Sequence, residues 1–447
     1  MAARKPFKPP DFTKLLQKKG EPGNLARITQ LAADPSLARD YWHWDALRHR
    51  TPPDGLDHEG WWLGIKLQRQ GQLRPVPLLD KEGKPFRFLI PDSALEQLHN
   101  MDRDVDGLPA PITRPPTRDQ YLVRSLIEEA ITSSQLEGAV TTREVAKEMI
   151  RSGRPPRDRS EQMILNNYLT MQHITEIKGR NLTPGLVFDL HRLVTEKTLD
   201  DPSAAGCLRR GDEKCVLADW EGEVYHEPPP AEQLESRLRA MCEFANGQTP
   251  DFFIHPVVRG IILHFWLAYD HPFVDGNGRT ARALFYWAML HHDFWLFEFV
   301  SISSILLKAP AQYARSFLYT ETDDNDLTYF VLEQMRVIRR ATDELHGYVE
   351  RKTSEVRELE SQLGALRTFN RRQVELIRHA LKHPSQEYTI ESHRKSHSVV
   401  YETARTDLLQ LHALKLLGVS KRGKAMVFTA PADLAERLKK LEKKGRP

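Results

Sequence analysis

The sequence has few cysteines and no long apolar run, and each absence excludes a class of protein. The three cysteines, Cys207, Cys215 and Cys242, have neither the number nor the spacing of a disulfide framework or a zinc-ligand set. No stretch approaches the roughly 20 consecutive apolar residues that a membrane-spanning helix needs. The start, MAARKPFKPPDF, lacks the apolar core of a secretory signal. We therefore expect reduced thiols in a soluble, cytoplasmic protein without a membrane span.

Charge is plentiful but unevenly distributed along the chain. The formal net charge over all 447 residues is only +3. Residues 371–447 contain 17 Lys and Arg against 8 Asp and Glu, a balance of +9, so the preceding residues sum to about −6. An acidic partner, nucleic acid above all, is therefore expected at the C-terminal end. The length allows two or three domains, each with its own core.

Helical periodicity dominates from Thr117 onward. It predicts helices near residues 117–137, 142–151, 160–178, 183–197, 231–246, 256–270, 279–292, 310–318 and 326–340. Residues 211–229 are the exception, because two short extended segments around a Trp-Glu-Gly turn, closed by three prolines, predict a β-hairpin. Upstream, we expect a loose arm over residues 1–23, a helix over 57–70 and a strand pair within 74–91.

The C-terminal segment has the element order of a winged helix. A helix at 372–382, a short helix at 390–396, a helix from Ser398 and a basic hairpin at 419–429 follow one another. The outward candidates for contacts in a DNA groove are Tyr401, Glu402, Arg405 and Thr406. Such domains also serve in dimerisation and protein docking, so both alternatives stay open.

A charged helix is predicted between Arg339 and Arg372. Its apolar residues step by three and four as in a short heptad seam: Val356, Leu359, Leu363 and Leu366. This seam fits a helix that packs on its own domain, and it also fits a homodimer.

Residues 271–282 are the most informative segment. They read His-Pro-Phe-Val-Asp-Gly-Asn-Gly-Arg-Thr-Ala-Arg, between apolar helical stretches. Gly276 and Gly278 permit close backbone approach and expose N–H groups as an anion nest. The apolar run after Arg279 predicts a helix whose N-terminus favours phosphate. The Asn277 side chain can donate to a phosphate oxygen.

Four charged or titratable side chains complete this segment. Arg279 and Arg282 are three residues apart, so their planar guanidinium groups project from nearly one side of the first helical turn and suit phosphate oxygens. Asp275 is a hard oxygen ligand of the kind that Mg²⁺ takes alongside phosphates and water. His271, with an ordinary pKa near ~6.5, can accept a proton at neutral pH. The segment therefore predicts a site that binds a polyphosphate beside a group that activates a hydroxyl.

This segment resembles the Fic (Fido) family signature HPFx(D/E)GNGRxxR at all nine specified positions. The similarity continues through HPVVRGIILHFWLAYD upstream and NDLTYFVLEQM downstream, over roughly residues 110–340. It implies a mainly α fold: a Fic-type helical bundle with a β-hairpin flap, here the hairpin at 211–229, to which the C-terminal winged-helix domain is added. Asp270 and Ala281 depart from the family pattern, and Asp270 would raise the basicity of His271 if the two approach.

The resemblance also implies an activity. Family members with this motif transfer AMP from ATP to a Ser, Thr or Tyr hydroxyl of a target protein and release pyrophosphate. His271 would deprotonate the hydroxyl, and Asp275 would hold Mg²⁺ between the α- and β-phosphates. The triphosphate would be held by Gly276, Asn277 and Gly278 at the α-phosphate and by Arg279 and Arg282 at the β- and γ-phosphates. The hairpin would clamp the target segment by strand addition.

A second motif, Ser133 to Gly138 (SSQLEG), resembles the family's inhibitory pattern (S/T)xxxE(G/N). The resemblance implies that Ser133 and Glu137 are inhibitory residues and that Glu137 pairs with Arg282 and blocks the γ-phosphate site. We then expect an N-terminal arm and Trp-rich subdomain (1–109), a Fic catalytic domain including the inhibitory helix (110–340), a helical linker (341–370) and a winged-helix-like domain with a basic tail (371–447).

Other functions remain open at this stage. The same scaffold could use UTP or GTP, or could remove AMP from a modified target with Glu137 positioning a water molecule. Alternatively, the chain could be a DNA-binding regulator whose Fic domain only senses nucleotide.

Overall fold

The computed structural model describes residues 4–32, 40–106, 115–213, 217–218, 224–365, 369–383, 386–422 and 425–445. They group into two compact units. The first comprises the described residues up to 106 and residues 125–342, and the second comprises residues 115–124 and those after 342. Most of them are helical, which confirms the mainly α fold. No helix among them is both long and apolar enough to cross a membrane.

The N-terminal part of the first unit contains five helices and one strand pair: α1 (Phe12–Lys19), α2 (Pro22–Ala32), α3 (Trp44–Leu47), α4 (His58–Gln70), β1 (Arg74–Leu79), β2 (Pro85–Phe88) and α5 (Asp92–Asp106). The helix expected over 57–70 and the strand pair are confirmed. The loose arm is wrong over α1, because Asp11 caps that helix by accepting from the Lys14 N–H and Leu15 is buried.

The chain from residue 115 to residue 365 contains further helices and one hairpin: α6 (Pro115–Leu136), α7 (Arg143–Ser152), α8 (Arg159–Ile177), α9 (Pro184–Thr195), β3 (Leu217–Ala218), β4 (Val224–His226), α10 (Leu234–Ala245), α11 (Pro256–Asp270), α12 (Asn277–His291), α13 (Ile302–Lys308), α14 (Pro310–Thr322) and α15 (Thr328–Ala365). All of it belongs to the first unit except the start of α6, up to residue 124, and the part of α15 after residue 342. The predicted hairpin is confirmed by the pairing of β3 with β4, although its Trp-Glu-Gly turn lies outside the described residues. The two helices predicted over 326–340 and 339–372 form the single helix α15.

Helices α11 and α12 form the centre of the first unit. Nearly all residues of both helices are buried, so these helices are apolar on every side rather than amphipathic. Gly260 allows them to approach closely, since a Cβ at this position would lie 2.4 Å from the Met289 Cε. The loop that joins the two helices, residues 271–276, is thus held at both ends by the core.

Buried polar contacts join the Trp-rich segment to the rest of this unit. Lys66 on α4 contacts Asp323 at 2.8 Å, with both side chains almost fully buried. Arg69 donates to the Tyr329 hydroxyl at 2.8 Å. Removing one partner of such a buried pair leaves an uncompensated charge, which costs about 3–5 kcal/mol. The structure therefore groups residues that the sequence-based boundary at 109 separates.

The C-terminal part of the second unit contains four helices and a three-stranded antiparallel sheet: α16 (Arg371–Lys382), β5 (Glu387–Thr389), α17 (Ile390–His397), α18 (Tyr401–Ala413), β6 (Gly418–Arg422), β7 (Ala425–Thr429) and α19 (Leu434–Gly445). The strand order is β5-β7-β6. Helix, helix, helix and hairpin follow in the predicted order, whereas β5 and α19 were not predicted. The side chains of the predicted heptad seam lie outside those that the structure describes, so dimerisation stays a prediction.

Candidate functional site

His271 lies at the C-terminal end of α11 in a left-handed conformation, with φ of 45° and ψ of 55°. This turn directs the chain out of the helix. The ring Nδ1 lies 3.3 Å from the carbonyl oxygen of Ala268; because a carbonyl only accepts, Nδ1 carries the proton and Nε2 is left as a base. Burial lowers the pKa of His271 to about 4. The imidazole is therefore neutral at pH 7, the protonation state that a general base requires.

Arg209 holds the backbone that follows His271. Its Nε donates to the His271 carbonyl and its backbone N–H donates to the Pro272 carbonyl, each at 2.9 Å. These carbonyls lie beyond the end of a helix and would otherwise lack partners in the core. The sequence did not indicate this role, because Arg209 is 62 residues from the histidine it supports.

Asn277 closes the loop on itself. Its Oδ1 accepts from the Phe273 N–H at 2.9 Å and its Nδ2 donates to the Phe273 carbonyl at 2.7 Å. The side chain is buried. The Nδ2 amide carries two hydrogens and uses one of them here, so its donation to a phosphate stays a prediction. Its contribution is to fix the shape of the loop.

His191 braces the same loop from α9. Its Nδ1 accepts from the Gly206 N–H at 2.8 Å, so Nε2 donates to the Asp275 carbonyl at 2.9 Å. The ring also stacks on Phe273 with centroids 3.7 Å apart. Burial lowers the pKa of His191 to about 4, which keeps the ring neutral and this pattern of one donor and one acceptor intact.

Gly276 begins α12 with φ of +82°, a conformation that favours glycine. A Cβ there would lie 2.6 Å from the Thr195 Cγ2, so the site also requires the absence of a side chain. The first N–H groups of α12 have no acceptor within the helix. A helix N-terminus of this kind favours an anion, which is the role predicted for this loop.

The Asp275 carboxylate is half-exposed beside this helix end. One oxygen accepts from the Gly276 N–H at 2.6 Å. The other lies 3.3 Å from the Arg159 guanidinium and 3.8 Å from that of Arg279. Within the described ranges no group of three or more His, Cys, Asp or Glu residues is placed to hold a metal. A single accessible carboxylate fits Mg²⁺ that takes its other ligands from phosphates and water.

Arg279 is almost fully buried and only partly satisfied. Its Nη1 donates to the Val194 carbonyl at 2.9 Å, but Nε and Nη2 have no hydrogen-bond acceptor among the described residues. Burial lowers its pKa. Unmet charged donors in the interior are costly, so their persistence beside the helix N-terminus indicates a site for an anion.

Arg282, one turn further along α12, is bound by Ser133 on α6 and by Glu137, the residue that follows α6. Its Nε donates to the Ser133 Oγ at 2.8 Å, and its Nη2 donates to the Ser133 carbonyl at 2.9 Å and to the Glu137 Oε1 at 2.8 Å. Burial alone would lower the pKa of Arg282, but Glu137, together with Tyr313 and Glu129, more than offsets this and raises it. The structure thus brings Ser133 and Glu137 of the second motif into contact with Arg282 of the first.

The Glu137 carboxylate also covers the start of α12. A Cβ built on Gly278 would lie 2.1 Å from the Glu137 Oε1. The carboxylate therefore occupies space directly above the first turn of α12, where an anion bound by the loop would come closest.

Glu129 anchors the helix that carries Glu137. Its buried carboxylate accepts from the hydroxyls of Tyr286 and Ser301, each at 2.8 Å, and from the Ser303 N–H at 3.1 Å. Nothing in the sequence distinguishes Glu129 from a solvent-exposed helix residue, since its partners lie about 160 or more residues away. The anchor fixes α6 two turns before its end.

Asp270 is engaged away from the histidine that follows it. It accepts from the Arg237 guanidinium at 2.6 Å and from the Trp266 indole at 3.0 Å. The His271 ring bonds to Ala268 instead. The Asp270 side chain therefore locks the last turn of α11 to α10 rather than hydrogen-bonding to the His271 imidazole.

The geometry predicts that Asn277 controls the order of the loop even without nucleotide. Asn277→Ala removes two hydrogen bonds, each worth about 1 kcal/mol. We expect amide hydrogen exchange over residues 272–277 to accelerate by about 10-fold or more. Asn246→Ala is the matched control, because Asn246 makes the same pair of bonds, with the Leu182 backbone. Unchanged exchange in Asn277→Ala, or equal acceleration in the control, would contradict this account.

Parts of this chain are similar to known proteins. The Fic/DOC family model matches residues 181–289. Protein adenylyltransferase Fic of Nematostella vectensis is 28% identical over 168 residues, which cover 37% of each chain. The Drosophila melanogaster protein of that name is 31% identical over 126 residues, 27% of this chain and 23% of that one. A Fic family crystal structure from Desulfovibrio desulfuricans G20 is 18% identical with a TM-score of 0.49, covering 76% of this chain and 94% of that one.

The chain thus spans less than two fifths of the length of these curated relatives. The matched residues include α9, the hairpin, α10 and α11, the whole loop 271–276 and most of α12. The family match falls on the segments that build the site, so residues 181–289 form a domain similar to the Fic/DOC family.

Proposed function

We propose that this protein is a protein adenylyltransferase that transfers AMP from ATP to a Ser, Thr or Tyr hydroxyl of a target protein. The observation that carries the proposal is the juxtaposition of a neutral histidine with an anion site. His271 offers a free Nε2 at a fixed turn, and Arg279 offers unmet guanidinium donors on the helix that follows. The curated relatives with this domain are named as protein adenylyltransferases.

In this proposal the chemistry is one in-line displacement at the α-phosphorus of ATP. The His271 Nε2 accepts the proton of the target hydroxyl as its oxygen bonds to the α-phosphorus. The bond from the α-phosphorus to the oxygen bridging it to the β-phosphate breaks, and pyrophosphate leaves. The hydrogen bond from Nδ1 to Ala268 holds the imidazole in the required tautomer. Base action of this kind contributes about 10²–10⁴-fold in rate.

The phosphates are held by the first turn of α12. The N–H groups of the Gly276 to Gly278 segment bind the α-phosphate, Arg279 binds the β-phosphate, and Arg282 binds the γ-phosphate. Asn277 fixes the shape of the loop through Phe273, and the second hydrogen of its Nδ2 donates to the α-phosphate. Asp275 would hold Mg²⁺, which supplies positive charge against the α- and β-phosphates when bound.

The protein restrains itself through the last turn of α6. Arg282 is bound by Ser133 and Glu137, so the γ-phosphate must displace Glu137 to reach it. The Glu137 carboxylate also lies over Gly278 and repels phosphate at that position. ATP that binds without contacting Arg282 is misaligned, and its α-phosphorus is not presented to His271.

This mechanism predicts opposite effects for two substitutions. Glu137→Gly is expected to raise the transfer of label from α-labelled ATP to protein, including the enzyme itself, by about 10-fold or more, since a competing contact of only ~1.4 kcal/mol corresponds to a factor of ten. His271→Ala in that background should reduce the rate by about 10²–10⁴-fold. Glu144→Gly, a change at an exposed glutamate on α7, is the control and should behave as the parent. Equal labelling in all four proteins would refute both assignments.

The mass of the product separates this reaction from its alternatives. AMP transfer adds adenosine and one phosphate to the target, whereas use of UTP or GTP adds a different nucleoside. Removal of AMP, with Glu137 positioning a water molecule, would lower the mass of a target that already carries the modification. Intact-mass measurement after incubation with each nucleotide therefore decides between them.

We propose a second function for the C-terminal part of the second unit, which is DNA binding as a winged helix. The four predicted groove-contact residues at the start of α18, Tyr401, Glu402, Arg405 and Thr406, are all exposed. Lys421 and Arg422 lie on the fully exposed strand β6. Within the part of the chain that the structure describes, Arg405 forms a surface ion pair with Glu402 at 3.5 Å, which holds it weakly. These features favour a surface that binds phosphate and base edges.

DNA binding predicts a defined loss on substitution. In the full chain, Arg405→Ala combined with Lys421→Ala should weaken binding to a fluorescein-labelled mixed-sequence duplex by about 10-fold and flatten its salt dependence by about two counterions. Arg151→Ala, at an exposed arginine of α7, is the control and should have no effect. Anisotropy measured from low to physiological salt checks this. Binding that does not depend on salt, or an equal loss in the control, would exclude this function.

A further inference from the structure

His226 connects the hairpin to the helix that carries the proposed base. It is the last residue of β4 and is 7% exposed. Its Nδ1 lies 2.8 Å from the Glu321 Oε2 on α14. Its Nε2 lies 2.7 Å from the carbonyl oxygen of Tyr269 in the last turn of α11. Both neighbours of the ring are therefore oxygen acceptors.

Two acceptors require a ring with two N–H donors. A neutral imidazole carries one N–H, so it would satisfy one oxygen and turn a lone pair toward the other. An imidazolium satisfies both. The Tyr269 carbonyl also belongs to the negative end of the α11 dipole, where a cation is favourable. The geometry thus selects the charged form of His226. The ring contacts α11 at Tyr269, two residues before His271.

We propose that His226, as an imidazolium, is a positioning residue that ties strand β4 to the helix end presenting His271. The inference rests on the proposed function and on the role that the family resemblance implies for the hairpin of β3 and β4, which is to hold the target segment. The His226 ring thereby holds the hairpin of β3 and β4 at a fixed distance from the proposed base, His271. Loss of the proton leaves one of the two bonds unmade and frees the hairpin from either α14 or α11.

The charges around His226 support its protonation. Directly after β4, Glu227 is paired with Lys81 at 2.8 Å. From α11, Tyr269 supplies the carbonyl and Asp270 is held by Arg237, while the neighbouring His271 is neutral. From α14, Glu321 supplies the carboxylate.

Burial by itself lowers the pKa of His226, but Glu321 and the Tyr269 carbonyl more than offset it and raise the pKa above 6.5. A raised pKa stabilises the folded contact fully below pH 6.5. The contribution is lost as pH rises through the folded pKa.

The two histidines therefore need opposite states. His271 acts when neutral, and its pKa is lowered to about 4. His226 acts when charged, and its pKa is raised. The proposed activity is expected at pH values between the pKa of His271 and the pKa of His226. Its alkaline limit is set by deprotonation of His226 rather than by the base His271.

Two variants and two readouts test the inference in the Glu137→Gly background. Glu321→Gln removes the charge that stabilises the imidazolium but keeps the histidine, and His226→Gln identifies the ring signal. NMR titration of ¹⁵N-histidine protein should place the pKa of His226 above 6.5 and lower it by about one unit or more in Glu321→Gln. The alkaline limit of self-modification by α-labelled ATP should move down by the same amount. Glu176→Gln is the control, because Glu176 pairs with another histidine, His173, at 3.1 Å. It should change neither the pKa of His226 nor the alkaline limit of self-modification.

A third readout needs no nucleotide. Amide exchange over residues 224–227, corrected for the intrinsic effect of pH, should rise about 10-fold when His226 deprotonates, and at lower pH in Glu321→Gln. Absence of labelling at every pH would refute the proposed function while this exchange still decides on the anchor. A His226 that titrates at or below pH 6.5, or exchange that does not follow its titration, overturns the inference. An alkaline limit that stays in place in Glu321→Gln overturns its link to activity.

Discussion

The contact between Arg282 and the last turn of α6 is the interaction on which the proposed regulation depends. The guanidinium is buried within the central helix of the fold, where an unpaired charge is costly. It therefore needs an anionic partner, and Glu137 supplies one at 2.8 Å. A γ-phosphate is the partner that the proposed reaction requires. Because both would bind the same guanidinium, inhibition and catalysis in this proposal exclude each other at a single residue.

The other half of the site is a set of backbone bonds that fix the loop before any nucleotide binds. Arg209 takes the carbonyls after His271, Asn277 closes the turn around Phe273, and His191 holds the Asp275 carbonyl. None of these bonds involves a reacting atom. They make the left-handed turn at His271 and the glycine turn at Gly276 persistent, which is the preorganisation that electrostatic catalysis needs. The proposed role of His226 extends this support to the hairpin.

Local sequence could predict the features that are local in the fold. The loop between α11 and α12, the hairpin and most helices follow from periodicity, glycines and prolines over short windows. The residues that hold the loop and α6 in place could not be predicted in this way. Arg209, His191 and Glu129 make contacts with distant parts of the chain, and their local sequence resembles that of ordinary surface residues. Asn277 is a complementary case: its type suits a phosphate, but only the fold reveals that its side chain also binds the Phe273 backbone. The N-terminal arm was misjudged because Leu15 finds its apolar partners far along the chain.

Competition for Arg282 is the central claim, and a pair of crystal structures with a non-cleavable α,β-methylene analogue of ATP and Mg²⁺ tests it most directly. In the Glu137→Gly protein, the account predicts the γ-phosphate on the Arg282 guanidinium and the α-phosphorus facing the His271 Nε2. In the parent protein, it predicts Glu137 still on Arg282 and the α-phosphorus turned away. An identical nucleotide pose in both proteins, or a triphosphate that contacts Arg282 while Glu137 stays in place, would contradict it.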